Sequence, residues 1–121
     1  MSYDISLLDP VTRETIELKE PHFMQGGTYQ LGGCTELWLN ITFNYGNIYR
    51  RSDVFGENGI HILHGMTALE SIPILESAIA VLNNDVVDDY WQCTEGNAKR
   101  PLCQLLTMAK MRPDGIWEVS Y

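Results

Sequence analysis

The sequence predicts an α+β fold: a mostly antiparallel sheet of about four to six strands with two helices packed on one face. Three observations lead there. Period-two alternation of apolar residues recurs at residues 3–8, 15–18 and 35–45. Two apolar stripes at helical spacing follow, Ile72-Leu75-Ile79-Leu82 and Leu102-Leu105-Leu106-Ala109. The helices are therefore grouped late in the chain, with one closing strand after them. The 121 residues, 45% of them hydrophobic, suit one domain spanning 1–121 with a real core.

Taken in order, Tyr3, Ile5 and Leu7 share one face of a first strand, with Asp4 and Ser6 on the other. Asp9-Pro10 opens a turn, because Asp accepts local backbone bonds and Pro presets φ at the next position. Ile16 and Leu18 then point inward on a second strand, which predicts an N-terminal hairpin. Glu20–Gly33 is loop-like, with the glycine pairs Gly26-Gly27 and Gly32-Gly33 around T-Y-Q-L. It reads either as a ligand-facing loop or as a short strand between two turns.

Thr35–Tyr45 is the strongest strand. Leu37, Leu39, Ile41, Phe43 and Tyr45 form its apolar face; Trp38, Asn40, Thr42 and Asn44 form a polar row headed by tryptophan. Residues 47–55 read as a short helix, and 56–65 as a turn with a short strand. Thr67–Glu70 is a capping-box pattern, but Pro73 fits only a first turn, so the main helix is expected to begin near Ser71, with Ser71 as its cap. The second helix has Asn97 or Thr94 as its cap and stops at Arg112-Pro113-Asp114-Gly115. Ile116–Ser120 closes the sheet.

Eight Lys+Arg against sixteen Asp+Glu give a net charge of −8. Direct binding to a nucleic-acid backbone, which requires clustered cations, is not expected. The excess acid serves solubility or forms an acidic face for a basic partner. Cys34, Cys93 and Cys103 have no metal or redox spacing and read as reduced thiols of a cytoplasmic protein. No signal peptide or apolar run of membrane-spanning length is read, so no membrane partner is expected and the Asn40-Ile41-Thr42 sequon is fortuitous.

Catalytic chemistry is not legible. His61 and His64, three apart in an expected strand, fall on opposite faces, and His22 lies elsewhere; all three read as surface or capping histidines rather than metal ligands. No nucleophile elbow surrounds Cys93 or any serine. Asp88-Asp89 and Glu70/Glu76 sit where a solvated surface places carboxylates. The expectation is a non-enzymatic protein with no cofactor and no metal.

Two constellations suit binding. Asn97, Lys99 and Arg100 open a helix, where free backbone N–H groups favour an anion. The competing reading is a capped helix with two solvated cations. Arg50-Arg51 is the other basic pair. The polar row Asn40, Thr42, Asn44 offers donors and acceptors suited to base edges or ribose hydroxyls, and Trp38 and Trp91 offer stacking faces. The competing reading is a buried polar network that pins the sheet to a loop.

The words G-G-T-Y, E-L-W-L-N-I-T-F-N-Y-G, G-M-T-A-L-E-S-I-P-I-L-E, Y-W-Q-C-T-E-G-N-A-K-R and A-K-M-R-P-D-G-I-W cover most of the chain. In them it resembles a family of small phage and prophage accessory proteins of Gram-positive bacteria. That resemblance implies a counter-defence role in the bacterial cytoplasm and assigns no site. The leading expectation is sequestration of a small nucleotide-like immune signal. Hydrogen bonds would come from Asn40, Thr42, Asn44 and Asn97, stacking from Trp38 and Trp91, and phosphate contacts from Arg50, Lys99 and Arg100. Homo-oligomers are expected with it, since a small domain gains a deep pocket mainly at an interface. The alternatives are an acidic, nucleic-acid-mimicking inhibitor of a host defence protein or CRISPR nuclease, using Asp85, Asp88 and Asp89, and a phage structural or packaging accessory.

Overall fold

The computed structural model describes residues 2–22 and 34–120. The expected glycine-rich loop lies outside the described residues from Phe23 to Gly33. In chain order the elements are β1 (Ser2–Leu8), β2 (Glu17–His22), β3 (Cys34–Glu36), β4 (Trp38–Thr42), α1 (Gly46–Tyr49), α2 (Ala68–Val81), α3 (Glu95–Met111) and β5 (Ile116–Ser120). The class is α+β. The expected single sheet is instead two antiparallel sheets, β4-β1-β5 and β2-β3, and the short helix read over 47–55 is the single turn α1, Gly46–Tyr49, beside the two longer helices.

β1 is the central strand. Tyr3 pairs with Ile41 and Ile5 with Leu39 on one flank, while Ile5 pairs with Val119 and Leu7 with Trp117 on the other. Every one of these side chains is buried. The expected hairpin between the first two strands does not form. β2 pairs with β3, and among the described residues its segment is hydrogen-bonded to β1 at the Leu8–Thr15 bridge and by the 2.9 Å bond from Ile16 N to Leu7 O. The reason is apolar content. Glu17-Leu18-Lys19-Glu20-Pro21-His22 has one large aliphatic residue, whereas Leu39 and Ile41 match the inward face of β1 and win the place beside it. The Asp9 turn forms as expected, with Asp9 Oδ1 accepting from Val11 N at 2.8 Å and Thr12 N at 3.1 Å.

The expected strand over 35–45 is broken twice. Leu37 leaves the ladder to donate to Ile16 O at 2.8 Å, so β3 and β4 join different sheets. At the other end the Thr42 hydroxyl accepts from Asn44 N at 3.2 Å and turns the chain into a 3₁₀ turn, Phe43–Tyr45, that runs into α1. The strand expected within 56–65 is a 3₁₀ turn, Gly59–Leu63, entered through Gly59 at φ 59°. The segment after it covers the free edge of β5: Gly65 N donates to Trp117 O, Trp117 N to Met66 O, and Val119 N to His64 Nδ1.

α2 begins at Ala68, three residues before the expected start. Thr67 Oγ1 accepts from Glu70 N and the Glu70 carboxylate accepts from Thr67 N, both at 3.1 Å, so the capping box is complete. Pro73 therefore lies inside the helix. It is tolerated on the solvent side, where water can take the carbonyl it leaves unbonded. Ser71, expected as a cap, is buried and accepts from the Trp117 indole at 2.8 Å, which ties α2 to β5. α2 and α3 pack on each other around Leu75, Ala78, Leu102, Leu105 and Ala109.

Candidate functional site

The two Trp-anchored stretches meet at their ends. Thr42 N donates to the Tyr90 hydroxyl at 3.1 Å, Asn44 Nδ2 donates to Trp91 O at 2.7 Å, and the Tyr45 hydroxyl donates to Tyr90 O. Burial pushes the Tyr45 and Tyr90 phenols up, so both stay neutral and keep these bonds across the physiological range. Tyr49, also raised by burial, donates to Ala98 O at 2.8 Å and fixes α1 to α3.

The junction organises residues 83–94, which join α2 to α3 without helix or strand. Thr94 is the cap of α3, accepting from Asn97 N at 3.1 Å and donating to Asp85 O at 2.5 Å. Asn97, the other candidate cap, sits one turn in and is buried. Its Oδ1 accepts from Val87 N at 3.0 Å; its Nδ2 donates to Asp89 O at 3.0 Å and Gln92 O at 3.1 Å. Lys99 Nζ bonds Leu82 O at 3.2 Å and Asn84 Oδ1 at 2.9 Å. Gly96 lets the loop press on the helix start, since a Cβ there would stand 2.4 Å from the Asp85 backbone.

The start of α3 already carries an anion of its own. Glu95 accepts from Asn83 N at 3.0 Å and from Arg51 Nη1 at 3.0 Å. That backbone N–H, and then the guanidinium, hold its carboxyl below the usual range. Arg51 also binds Asp53 at 2.7 Å. Arg50 turns elsewhere, donating to Asn47 Oδ1 at 2.8 Å and lining a pocket of about 330 Å³ with Tyr3, Phe43 and His61. Asn40 is on the outer face of the sheet and gives its amide to Ser2 Oγ at 2.6 Å and Asp4 Oδ1 at 2.9 Å. Trp38 is half-buried opposite Ser6. The nine expected site residues thus divide. Thr42, Asn44, Trp91, Asn97, Lys99 and Arg100 gather around the loop and α3; Trp38, Asn40 and Arg50 do not line that site.

Two surfaces result. Facing solvent, the loop presents Trp91 at 55% exposure and Val86 at 46%, among the exposed carboxylates of Asp85, Asp88 and Asp89. Behind it lies a cleft of about 240 Å³ whose lining includes Tyr45, Asp88, Tyr90, Asn97, Arg100 and Gln104. The side-chain oxygen of Gln104 is shut off from solvent and accepts no hydrogen bond from a described residue. Sequence reasoning passed over Tyr45, assigned to an apolar strand face, and Gln104. The four-residue spacing from Arg100 to Gln104, which places both on one face of α3, was the available signal.

Among the described residues no three His, Cys, Asp or Glu side chains converge as metal ligands, and no helix is long and apolar enough to cross a membrane. Comparison with protein-family models, with curated proteins and with solved structures finds no match.

Proposed function

We propose that this protein works by binding rather than catalysis, and that its 83–94 loop docks on a basic, nucleic-acid-binding face of a partner protein. One observation carries the reading. A loop with no secondary structure is held in one shape by Asn97, Thr94, Lys99, Asn44 and Tyr45, while Trp91, Val86 and three aspartates remain outside. Ordering such a loop beforehand lowers the entropic cost of binding. An exposed tryptophan is a frequent interface anchor, and the aspartates of the same loop supply steering toward a cationic surface. The net charge of −8 and the resemblance to phage accessory proteins support a partner within a bacterial defence complex.

Capture from cells carrying such a defence tests this. The wild type is expected to retain a basic nucleic-acid-binding protein, to lose it as salt rises, and to release it to added DNA. Trp91→Ala is expected to weaken retention by about tenfold or more, and Asp85→Asn with Asp89→Asn to remove its salt dependence. Retention indifferent to salt and to both changes would sink the docking reading.

A second reading, sequestration of a small nucleotide-like signal, is supported by the cleft, which Asn97 and Arg100 both line. Homo-oligomers belong to that reading and are tested by the mass of the native protein with and without its ligand.

A further inference from the structure

The two edges of the β4-β1-β5 sheet differ. On the β5 side, residues 64–66 lie along the strand and bond its outward groups: Gly65 N donates to Trp117 O, Trp117 N to Met66 O and Val119 N to His64 Nδ1. β4 is the opposite edge, and among the described residues no strand lies beyond it. Edge strands are normally blunted by lysine, proline or a bulge. β2 has that composition, with Lys19 and Pro21. β4, Trp38-Leu39-Asn40-Ile41-Thr42, has no charge, proline or glycine.

The pairing of β4 with β1 fixes which groups remain. Leu7 N donates to Leu37 O, so Leu37, and by alternation Leu39 and Ile41, turn their backbone groups toward β1. Trp38, Asn40 and Thr42 turn theirs away. Thr42 N accordingly meets the Tyr90 hydroxyl at 3.1 Å, which closes that end of the edge. At the other end Leu37 N is given to Ile16 O. Between these ends the N–H and C=O of Trp38 and Asn40 face outward without a hydrogen bond to a described residue.

These two donors and two acceptors match a second copy of themselves. About a two-fold axis through Leu39, Trp38 of one protomer stands opposite Asn40 of its partner. Each such pair exchanges two bonds, so four bonds use every outward group of residues 38–40. A register centred on Asn40 fails, because it calls on Thr42 N, which Tyr90 already holds. The half-buried Trp38 rings of the two protomers come within diagonal reach on the outer face. Charge favours the same occupant. Two copies of net charge −8 repel wherever their carboxylates meet. β4 is uncharged, and Asn40 holds the neighbouring Asp4 carboxylate at 2.9 Å. A basic partner gains nothing from an uncharged edge, whereas an acidic twin needs one.

We propose that β4 pairs antiparallel with β4 of a second copy, joining the two three-stranded sheets into one. The dimer uses neither the 83–94 loop nor the cleft beside it, so it stands apart from both readings above.

Sedimentation equilibrium of the purified protein, with amide hydrogen exchange on the same samples, tests it. A dimer is expected. Its Trp38 and Asn40 amides should exchange slowly at high concentration and fast on dilution, while the Thr42 amide is indifferent to dilution. Asn40→Ala keeps the backbone N–H and is expected to change the dissociation constant only a few-fold. Asn40→Pro removes that N–H and is expected to raise the constant about a hundredfold, for two bonds lost per dimer. The ladder with β1 does not use this N–H, so an edge proline is tolerated there. Trp38→Lys, which sets two cations across the axis, is expected to give a monomer with an unchanged circular dichroism spectrum, separating loss of pairing from loss of fold. A wild type that stays monomeric at millimolar concentration overturns the proposal and leaves the edge to a foreign strand. A dimer whose Trp38 and Asn40 amides exchange freely overturns it too, since its interface lies elsewhere.

Discussion

The Asn97 side chain accepts from Val87 N at 3.0 Å, so one buried amide on α3 sets the path of the loop that precedes it. Removing that amide strands Val87 N, whereas the carbonyls of Asp89 and Gln92 keep backbone donors in Gln92 N and Thr94 N. Asn97→Ala is therefore expected to cost about 1–3 kcal/mol in urea unfolding, the usual penalty for one donor left without its acceptor. Amide exchange at Val87 should quicken well beyond the global change. An unchanged exchange rate would mean the loop holds its shape by other means.

Gly96 is the other half of that arrangement. A methyl group there meets Asp85 backbone atoms at 2.4–2.7 Å, and neither the helix start nor the loop can yield cheaply. Gly96→Ala, which would raise stability at an open helical position, is expected to lower it by about 1–3 kcal/mol, the usual range for overpacking. Thermal unfolding beside Asn97→Ala in one series checks both.

Acid should loosen the same region. Glu95 has its carboxyl held below its ordinary value of 4.5 by the Asn83 N–H and then by Arg51. A depressed carboxyl contributes stability that is complete above pH 4.5 and is lost as pH falls through the folded-state value. Glu95→Gln is expected to flatten the stability profile below that pH and to leave its shape above it unchanged. A mutant whose acid limb is as steep as the wild type's would assign that limb to the other depressed carboxyls, Asp9, Asp53, Glu70 and Asp114.

Pro73 gives a prediction of opposite sign. It stands exposed inside α2, breaking one helical bond behind an intact capping box. Pro73→Ala is expected to stabilise the protein by about 1–3 kcal/mol, the interior proline penalty less what proline saves in the unfolded chain. A melting temperature that falls would show that the ring packs in a way its exposure conceals.

How far the sequence reached depended on the range of each interaction. The alternation at Tyr3-Ile5-Leu7 and the stripe Leu102-Leu105-Ala109 are local, and both became elements. Thr67 and Glu70 announced their capping box, but weighing Pro73 against it moved the helix start to Ser71. Local pattern does not say which strand lies beside β1. That place was decided by Leu39 and Ile41, far along the chain, and the hairpin expectation failed there. Of the two readings of the polar row, the hydrogen bonds favour the network that joins sheet and loop. Asn44 and Thr42 pin the loop and Asn40 braces β1, while Arg100 is exposed at the wall of the cleft. Gln104 was invisible because an orphaned oxygen is a property of packing.

The central place of β1 has a consequence for how the protein is made. Its flanks are β4 and β5, so β1 waits on residues 116–120, synthesised more than a hundred residues later, for its second neighbour. Contacts of such long sequence separation form slowly, because the intervening loop must close first. Until then the edge carrying Ile5 and Leu7 is open to any passing strand. A nascent chain stalled before Ile116 is expected to be a client of chaperones, and pairing of Ile116–Ser120 with β1 should be the event that ends its exposure.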